Sequence, residues 1–460
     1  MGVSASAVID KLLKNRYRGD RLDAVMRNTF IGWKLCEPQK RPFSGRQEIF
    51  PVQLGWGGQV AARPEMGSGA SGGNSDCSGS PLPAPPVVEN GAVDIKQMFG
   101  TLMWTKQAIL RCADDAGAYK RLVNFELQNM QDRFLKELNF GFFGDGRGRR
   151  AQIAADASQA GTSPVVLTAA ADTALVLDTN RYLAPNDLIS IWNSTDTTAS
   201  SARIMNSNGA EMAEGDLYIK SVSDDGVTVT IHNGNAYNLT TAASQYIRFW
   251  GESDIQSGTI RTDHVITGIS AAIDDGTLAT TYAGISRTTY SQWKSFVKDA
   301  SSAVMSEDIV IKCADAVNRK SGRKDRKIDT LLMDPSLRRD YVKLSRPDRR
   351  YEGVDDHDVG YNDTLVMTVG PQRFKIMEDF DCPFGKIFGL NRKDLECYIA
   401  QGVEIEQDAG GTMLKMGVPY GKCGTGHVYW ALVSWYGNFA MLRPFAAFLL
   451  KNMSYELETA

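Results

Sequence analysis

PEMGSGASGGNSDCSGSPLPAPP, residues 64–86, contains 15 Gly, Ser or Pro among its 23 residues. Such a stretch buries too little apolar surface to offset its own ordering entropy. Strand-like runs flank it, QEIFPVQLGWGGQV at 47–60 and VVENGAVDIKQMFGTLMWTKQAIL at 87–110. Together they read as a projecting two-stranded arm with a compliant tip. An isolated two-stranded ribbon is marginal in water, so the arm is expected to find its partner on another copy of the chain. Assembly is therefore the first function the sequence suggests, ahead of catalysis.

The chain has 460 residues, 43% hydrophobic and 23% charged, enough for a substantial core and two to four domains. A net charge of −3 argues against a dedicated nucleic-acid binder, which carries a basic surplus. The seven cysteines (Cys36, Cys77, Cys112, Cys313, Cys382, Cys397, Cys423) are odd in number and show no CxxC spacing, which fits reduced thiols in a cytosolic setting. MGVSASAVIDKLLKNRYRGD at the start has no apolar signal core. The apolar stretch 427–450 is interrupted by Gly437, Asn438, Arg443 and Pro444, so it reads as core strands and not as a membrane span.

Residues 4–30 place Val8, Leu12, Leu13, Leu22, Val25 and Met26 at helical spacing, the pattern of an amphipathic N-terminal arm. Beyond the projecting arm, Asp114 and Asp115 are candidate caps for a helix over 116–140. Its stripe is Tyr119, Leu122, Val123, Leu127, Met130, Phe134 and Leu138, with Gly141 as the expected stop. From 151 to 251, short apolar runs separated by Asp, Asn, Gly and Ser clusters predict a small all-β sandwich or barrel, with hairpin turns at Asp225-Gly226 and Asn233-Gly234. Farther on, 290–316 and 336–344 read as helices. Strands are predicted at 330–333, 364–369, 374–377, 386–390, 428–436 and 446–450, completing an α+β body.

Catalytic chemistry finds little support. Cys423 and His427 are the closest His/Cys pair, and the usual paired ligand spacings are missing. There is no GxSxG elbow, and Ser-x-x-Lys at 291, 295 and 321 lacks its companion motifs. Gly144-Asp-Gly-Arg-Gly148 follows a helix, whereas a phosphate loop follows a strand, so it reads as a chain reversal. Glu378, Asp379 and Asp381 surround a Phe–Asp–Cys–Pro turn and are expected to be a solvated loop. The run from 319 to 350 sets twelve Lys/Arg against five Asp, a surplus of seven that leaves −10 on the remainder of a chain of net −3. Such a patch suits pairing with acidic surfaces on neighbouring copies, or non-specific phosphate contact.

The order of these parts (N-arm, two-stranded arm, long helix, Gly-rich reversal, β insertion, α+β body) resembles the HK97-like major capsid proteins of tailed bacteriophages. FFGDGRG (142–148) looks like that family's helix and turn, and GISAAIDDGTLATTYAGISRTTYSQWKS (268–295) resembles its Gly-Ile-Ser-Arg element before Tyr and Trp. LLMDPSLRRDYVKL (331–344) and IMEDFDCPFGKIFGLN (376–391) are similar to its strand–Asp-Pro–helix segment and its peripheral strand pair. The resemblance implies an α+β, HK97-like fold with an inserted small all-β domain. It divides the chain into an N-terminal arm (1–42), E-loop (43–100), peripheral domain with the long helix (101–150) and β insertion (151–251). An axial domain (252–375), peripheral strands (376–425) and C-terminal strands returning to the core (426–460) follow.

The implied function is a structural shell protein and not an enzyme, with no cofactor. Implied partners are copies of itself in hexamers and pentamers, a scaffolding protein, the portal protein, packaged double-stranded DNA and a decoration protein, with assembly in the host cytoplasm and residence in the virion. The N-arm starts almost at Met1, which points to a separate scaffolding protein. No Lys occurs between Arg41 and Ile95, so the arm lacks the nucleophile some members use to cross-link neighbours. The residues expected at interfaces are Arg46, Trp56 and Arg63 on the arm, with Arg323, Lys324, Arg326, Arg338 and Arg339 in the basic run. Two other readings compete. An encapsulin-like compartment shell shares the fold but lacks the β insertion and the length. A carbohydrate-active protein would need more acids and aromatics than Trp192, Tyr237, Trp250 and Asp224-Asp225 provide.

Overall fold

The structure, a computed structural model, describes residues 35, 40–42, 45, 47–57, 85–105, 116–153, 157–159, 165–170, 183–192, 217–223, 228–233, 239–241, 246–249, 254–256, 259–261, 265–321, 327–345, 366–369, 372–407, 415–416 and 428–455. The predicted N-terminal helical arm, the arm's tip, the Asp114-Asp115 cap and the Cys423–His427 loop lie outside them, as do the side chains of Tyr119, Leu122 and Val123.

Strand alternation builds the arm. Gln47–Gly55 pairs antiparallel with Val87–Asp94, from Gln47 opposite Asp94 to Gly55 opposite Val87. Phe50, Val52 and Leu54 turn inward, while Ile49, Pro51 and Gln53 turn outward. Phe50 covers Gly91, where a Cβ would come within 2.5 Å of the ring, so only glycine leaves room. The apolar run 87–110 divides at Ile95. Lys96–Thr105 leaves the ribbon and pairs with Val428–Met441 from Lys96 opposite Gly437 to Thr105 opposite Val428. It thereby joins a five-stranded sheet with Lys40–Pro42, Leu395–Ile405 and Lys415–Met416.

The long helix, Ala116–Phe143, has 28 residues, about 42 Å at the usual rise. It crosses the first sheet at Gly100, where an added Cβ would meet Met130 Sδ at 2.6 Å and the Phe134 ring at 2.8 Å. Leu138, Phe142 and Phe143 are fully buried in the core it shares with that sheet. Gly141 does not end the helix; it lies inside it because its bare face admits Ile266, whose Cβ would stand 3.0 Å from a Cβ there. The stop comes at Gly144, and Gly146 and Gly148 then take left-handed conformations (φ 84 and 69°) in the expected reversal. Asp145 pins this turn by accepting from Arg147 N at 3.0 Å and Arg149 Nη2 at 2.6 Å.

Between 151 and 249 runs a six-stranded antiparallel sheet in the order Ile189–Trp192, Tyr246–Phe249, Ala151–Ile153, Val165–Ala170, Thr228–Asn233, Leu217–Val222. Its two edges meet through a Leu188–Tyr218 bridge, with Ile219 N donating to Asp187 O at 3.0 Å and Asn186 N to Ile219 O at 2.8 Å. The sheet therefore closes into a barrel. Aliphatic side chains, Ile153, Ile189, Ile191, Ile219, Val229 and Ile231 among them, fill its interior.

The second six-stranded sheet runs Phe296–Asp299, Phe448–Lys451, Ile387–Leu390, Thr330–Met333, Gln372–Glu378, Val366–Val369. Helices Glu307–Ser321 and Pro335–Ser345 pack on it around Val310, Val317, Leu337 and Tyr341. Asp334 caps the latter helix, accepting from Ser336 N at 2.9 Å, with Pro335 in the first turn. The helix expected over 290–316 is instead a 3-10 turn (Ser291–Trp293), a strand (Phe296–Asp299) and a helix from Glu307 only. Phe296 and Val297 are drawn into the sheet by parallel pairing with Phe448 and Leu449, a partner some 150 residues away. Gln372–Glu378 and Ile387–Leu390 both flank Thr330–Met333, so these two strands of the 376–391 segment lie in the second sheet. The apolar 427–450 region forms sheet strands, and among the described residues no helix is long and apolar enough to cross a membrane.

Candidate assembly surface

The alternation that buries one side of the arm leaves large apolar side chains among the polar ones on the other. Ile49 is 58% exposed, Val88 52% and Trp56 93%, the last just beyond the strand end at Gly55. Phe99 and Met103 are likewise half exposed on the face of the first sheet turned away from the long helix. Large apolar side chains left in solvent on a projecting element are of the kind found at interaction sites. The root of the arm is fixed by Asn438, whose Nδ2 donates to Asp94 O at 2.8 Å while its Oδ1 accepts from Thr267 N at 3.0 Å. Arg41 reaches buried Glu396 at 2.7 Å beside it. The Tyr398 hydroxyl donates to the same carboxylate at 2.6 Å. Burial first, and that hydrogen bond second, hold this phenol well above its usual range, so it stays a neutral donor.

Of the interface residues read from sequence, the structure places Trp56 fully outward. Arg46, Arg63, Arg323, Lys324 and Arg326 lie outside the described residues. Arg338 is engaged within its own chain, its Nε 2.7 Å from Glu378 Oε2 in an ion pair too bent for a hydrogen bond. Arg339 is partly buried on the same helix and has a partner of its own.

The acidic turn is a correction. Asp379 and Asp381 are buried and not solvated. Asn139 Nδ2, on the long helix, lies 2.7 Å from Asp381 Oδ2 and 3.2 Å from Asp379 Oδ1, and Asp381 N closes the turn on Asp379 at 2.9 Å. The turn thus binds the second sheet to the long helix. Its sequence signal was Asn139 within the apolar run Leu138-Asn139-Phe140. Among the described residues no group of three or more His, Cys, Asp or Glu could hold a metal. A shallow cleft of about 520 Å³ opens between the arm root and the first sheet, lined by Gln47, Asp94, Gln97, Gln401 and Tyr436. It offers hydrogen-bonding groups, among them the Tyr436 hydroxyl, which donates to Glu406 Oε1 at 2.6 Å.

A second junction holds the barrel to the long helix. Arg150 is sandwiched between Phe140 and Phe249, 3.7 and 4.0 Å from the ring centres, and pairs with Glu137 at 2.6 Å. Arg133 pairs with Asp187 at 2.6 Å across the same seam. Burial raises the Asp187 carboxyl above its usual value, outweighing the opposing pull of Arg133.

A scan of family models finds no match to the sequence, and a search of curated proteins finds none. Solved structures do match. The cyanophage A-1(L) capsid protein aligns over 96% of this chain and 98% of its own, with 11% identity and a TM-score of 0.54. The chain has a phage-capsid fold. It is the HK97-like arrangement, mixed α and β with a long helix over a sheet. A native GTA particle capsid (10% identity, 98% and 99% coverage, TM-score 0.46) and the SrpI encapsulin of Synechococcus elongatus PCC 7942 (8%, 99% and 98%, 0.41) also match.

Proposed function

We propose that this chain is the major capsid protein of a tailed double-stranded DNA bacteriophage, assembling through hexamers and pentamers into an icosahedral shell. The observation that carries the reading is a capsid fold spanning 96% of the chain, joined to an arm that exposes Ile49, Val88 and Trp56. A shell needs only surfaces that repeat, and the arm, the first-sheet face and the basic run are the surfaces offered. The arm (43–100) lies over a neighbouring copy, the second sheet with its two helices supplies the axial part, and 151–251 is an inserted β domain. Arg46, Trp56, Arg63, Arg323, Lys324, Arg326, Arg338 and Arg339 contact neighbours. A separate scaffolding protein, a portal, packaged DNA and a decoration protein complete the particle, which assembles in the host cytoplasm. The role is structural and not enzymatic.

Negative-stain microscopy of the purified protein tests this reading: closed shells or ring-shaped capsomers support it, and a uniform monomer at high concentration overturns it. The Lys-free arm adds an expectation, that mature particles dissociate to single chains on a denaturing gel; a ladder of cross-linked species contradicts it.

A further inference from the structure

The 268–295 string has a physical role that the shell reading does not use. Thr281–Tyr282 and Ile285–Ser286 form a tight hairpin, Thr281 opposite Ser286 and Tyr282 opposite Ile285. Its two turn residues, Ala283 and Gly284, both have positive φ (50 and 78°), as the hairpin turns matched to strand twist require. A Cβ on Gly284 would meet nothing within 4 Å, so backbone conformation alone asks for glycine there. Ala283 accepts a left-handed conformation that L-residues disfavour, and its methyl packs on the main core. This turn aims the Ala283 carbonyl at the arm, where Ala92 N donates to it at 2.9 Å. Tyr290, seven residues along, donates its hydroxyl to Glu89 Oε1 at 2.6 Å. The arm's second strand is thus gripped at two points about 10 Å apart.

The grip has a rigid seat. The Tyr282 hydroxyl accepts from Met441 N at 2.8 Å, at the end of the longest strand of the first sheet. Its carbonyl accepts from Trp293 Nε1 at 3.2 Å, and Trp293 is fully buried. Arg287, also fully buried, donates to Ala279 O at 2.9 Å and to Ala272 O, with Asp274 at 3.6 Å and its guanidinium 5.3 Å from the Tyr282 ring. Ser295 donates to Pro444 O at 2.7 Å, and Phe296 then enters the second sheet. The hairpin therefore touches the arm and the first sheet, and the chain that leaves it enters the second.

We propose that the 281–293 element is the arm's positioning device: the Ala283 carbonyl and Tyr290 hold the ribbon against its own chain, making its placement depend on how the two sheets meet. The anchoring concerns the single chain; that it presets the arm for a neighbour rests on the capsid reading.

Hydrogen–deuterium exchange on the full-length, unassembled protein tests it, comparing native chain, Tyr290→Phe, Glu89→Ala and the double variant. Amides of Val87–Asp94 should exchange about tenfold faster in each single variant, the worth of a charge-assisted hydrogen bond, and no faster in the double. Amides of Val428–Met441 and Phe296–Asp299 should be unmoved. Unchanged exchange at 87–94 overturns the proposal, and so does an increase spread evenly over both sheets, which is general destabilisation. Thr289→Ala, an exposed neighbour, should match the native chain; acceleration at 87–94 in that variant also counts against a specific grip. If the native chain never assembles, the capsid reading fails while the exchange data still decide the anchor.

Discussion

The arm and the barrel are both small β structures, yet the chain completes them in opposite ways. The barrel's two edge strands meet at Leu188 and Tyr218, and aliphatic side chains fill its interior. Its outer side chains are mainly polar, as at Lys220 and Ser221. The arm's two strands pair with each other, the second also giving Ala92 N to the Ala283 carbonyl, and they leave Ile49, Val88 and Trp56 in solvent. One element is complete within the subunit; the other is half of something. What separates them is where apolar surface is left over, and that is where association is expected.

The sharpest way to break this contrast is to charge the arm's outward face. Ile49→Asp with Val88→Asp should abolish assembly, because carboxylates in an apolar contact lack partners. The soluble chain should keep its stability to within about 0.5 kcal/mol, as for other exposed sites. Sedimentation velocity and urea unfolding read the two effects; normal particles from the double variant would mean that this face is not the contact. Next in size is Arg150→Ala, which strands Glu137 and empties the slot between Phe140 and Phe249. A loss of about 3 kcal/mol is expected, seen as faster proteolysis at the barrel seam. Ile231→Ala inside the barrel should cost about 2–5 kcal/mol. A cost below about 1 kcal/mol would show that the barrel interior is not a packed core.

The sequence announced this contrast better than it announced the joints. Alternation is local, so the ribbon's inward Phe50 and Val52 and the barrel's short strands could be read directly. Trp56, between Gly55 and two more glycines, had no local apolar company and was legible as an outward residue. The break at Ile95 carried no Gly or Pro; it exists because Val428–Met441 competes for the following strand from more than 300 residues away. Gly141 gave a stop signal that a neighbour overrode, since Ile266 needs the space a side chain would fill. The acids at 379 and 381 looked solvated because their partner, Asn139, is about 240 residues distant.

The smallest effect is electrostatic and sits at the barrel's seat. Asp187 is raised above its ordinary 3.8 chiefly by burial, with Arg133 pulling the other way. In the window above 3.8 the folded chain therefore holds a proton that the unfolded chain has released. Stability from this group falls as pH rises through that window and returns on acidification, opposite to an ordinary paired carboxylate. Asp187→Asn removes the titration while keeping an oxygen to accept from Ala184 N, a bond of 2.8 Å in the native chain. The native protein should thus gain on the Asn variant as pH is lowered from neutral towards 4, measured as the difference between two urea titrations at each pH. If the native chain instead loses ground on acidification, the Arg133 pair outweighs burial, and the barrel is held to the helix by its charges more than by its packed Arg150 slot.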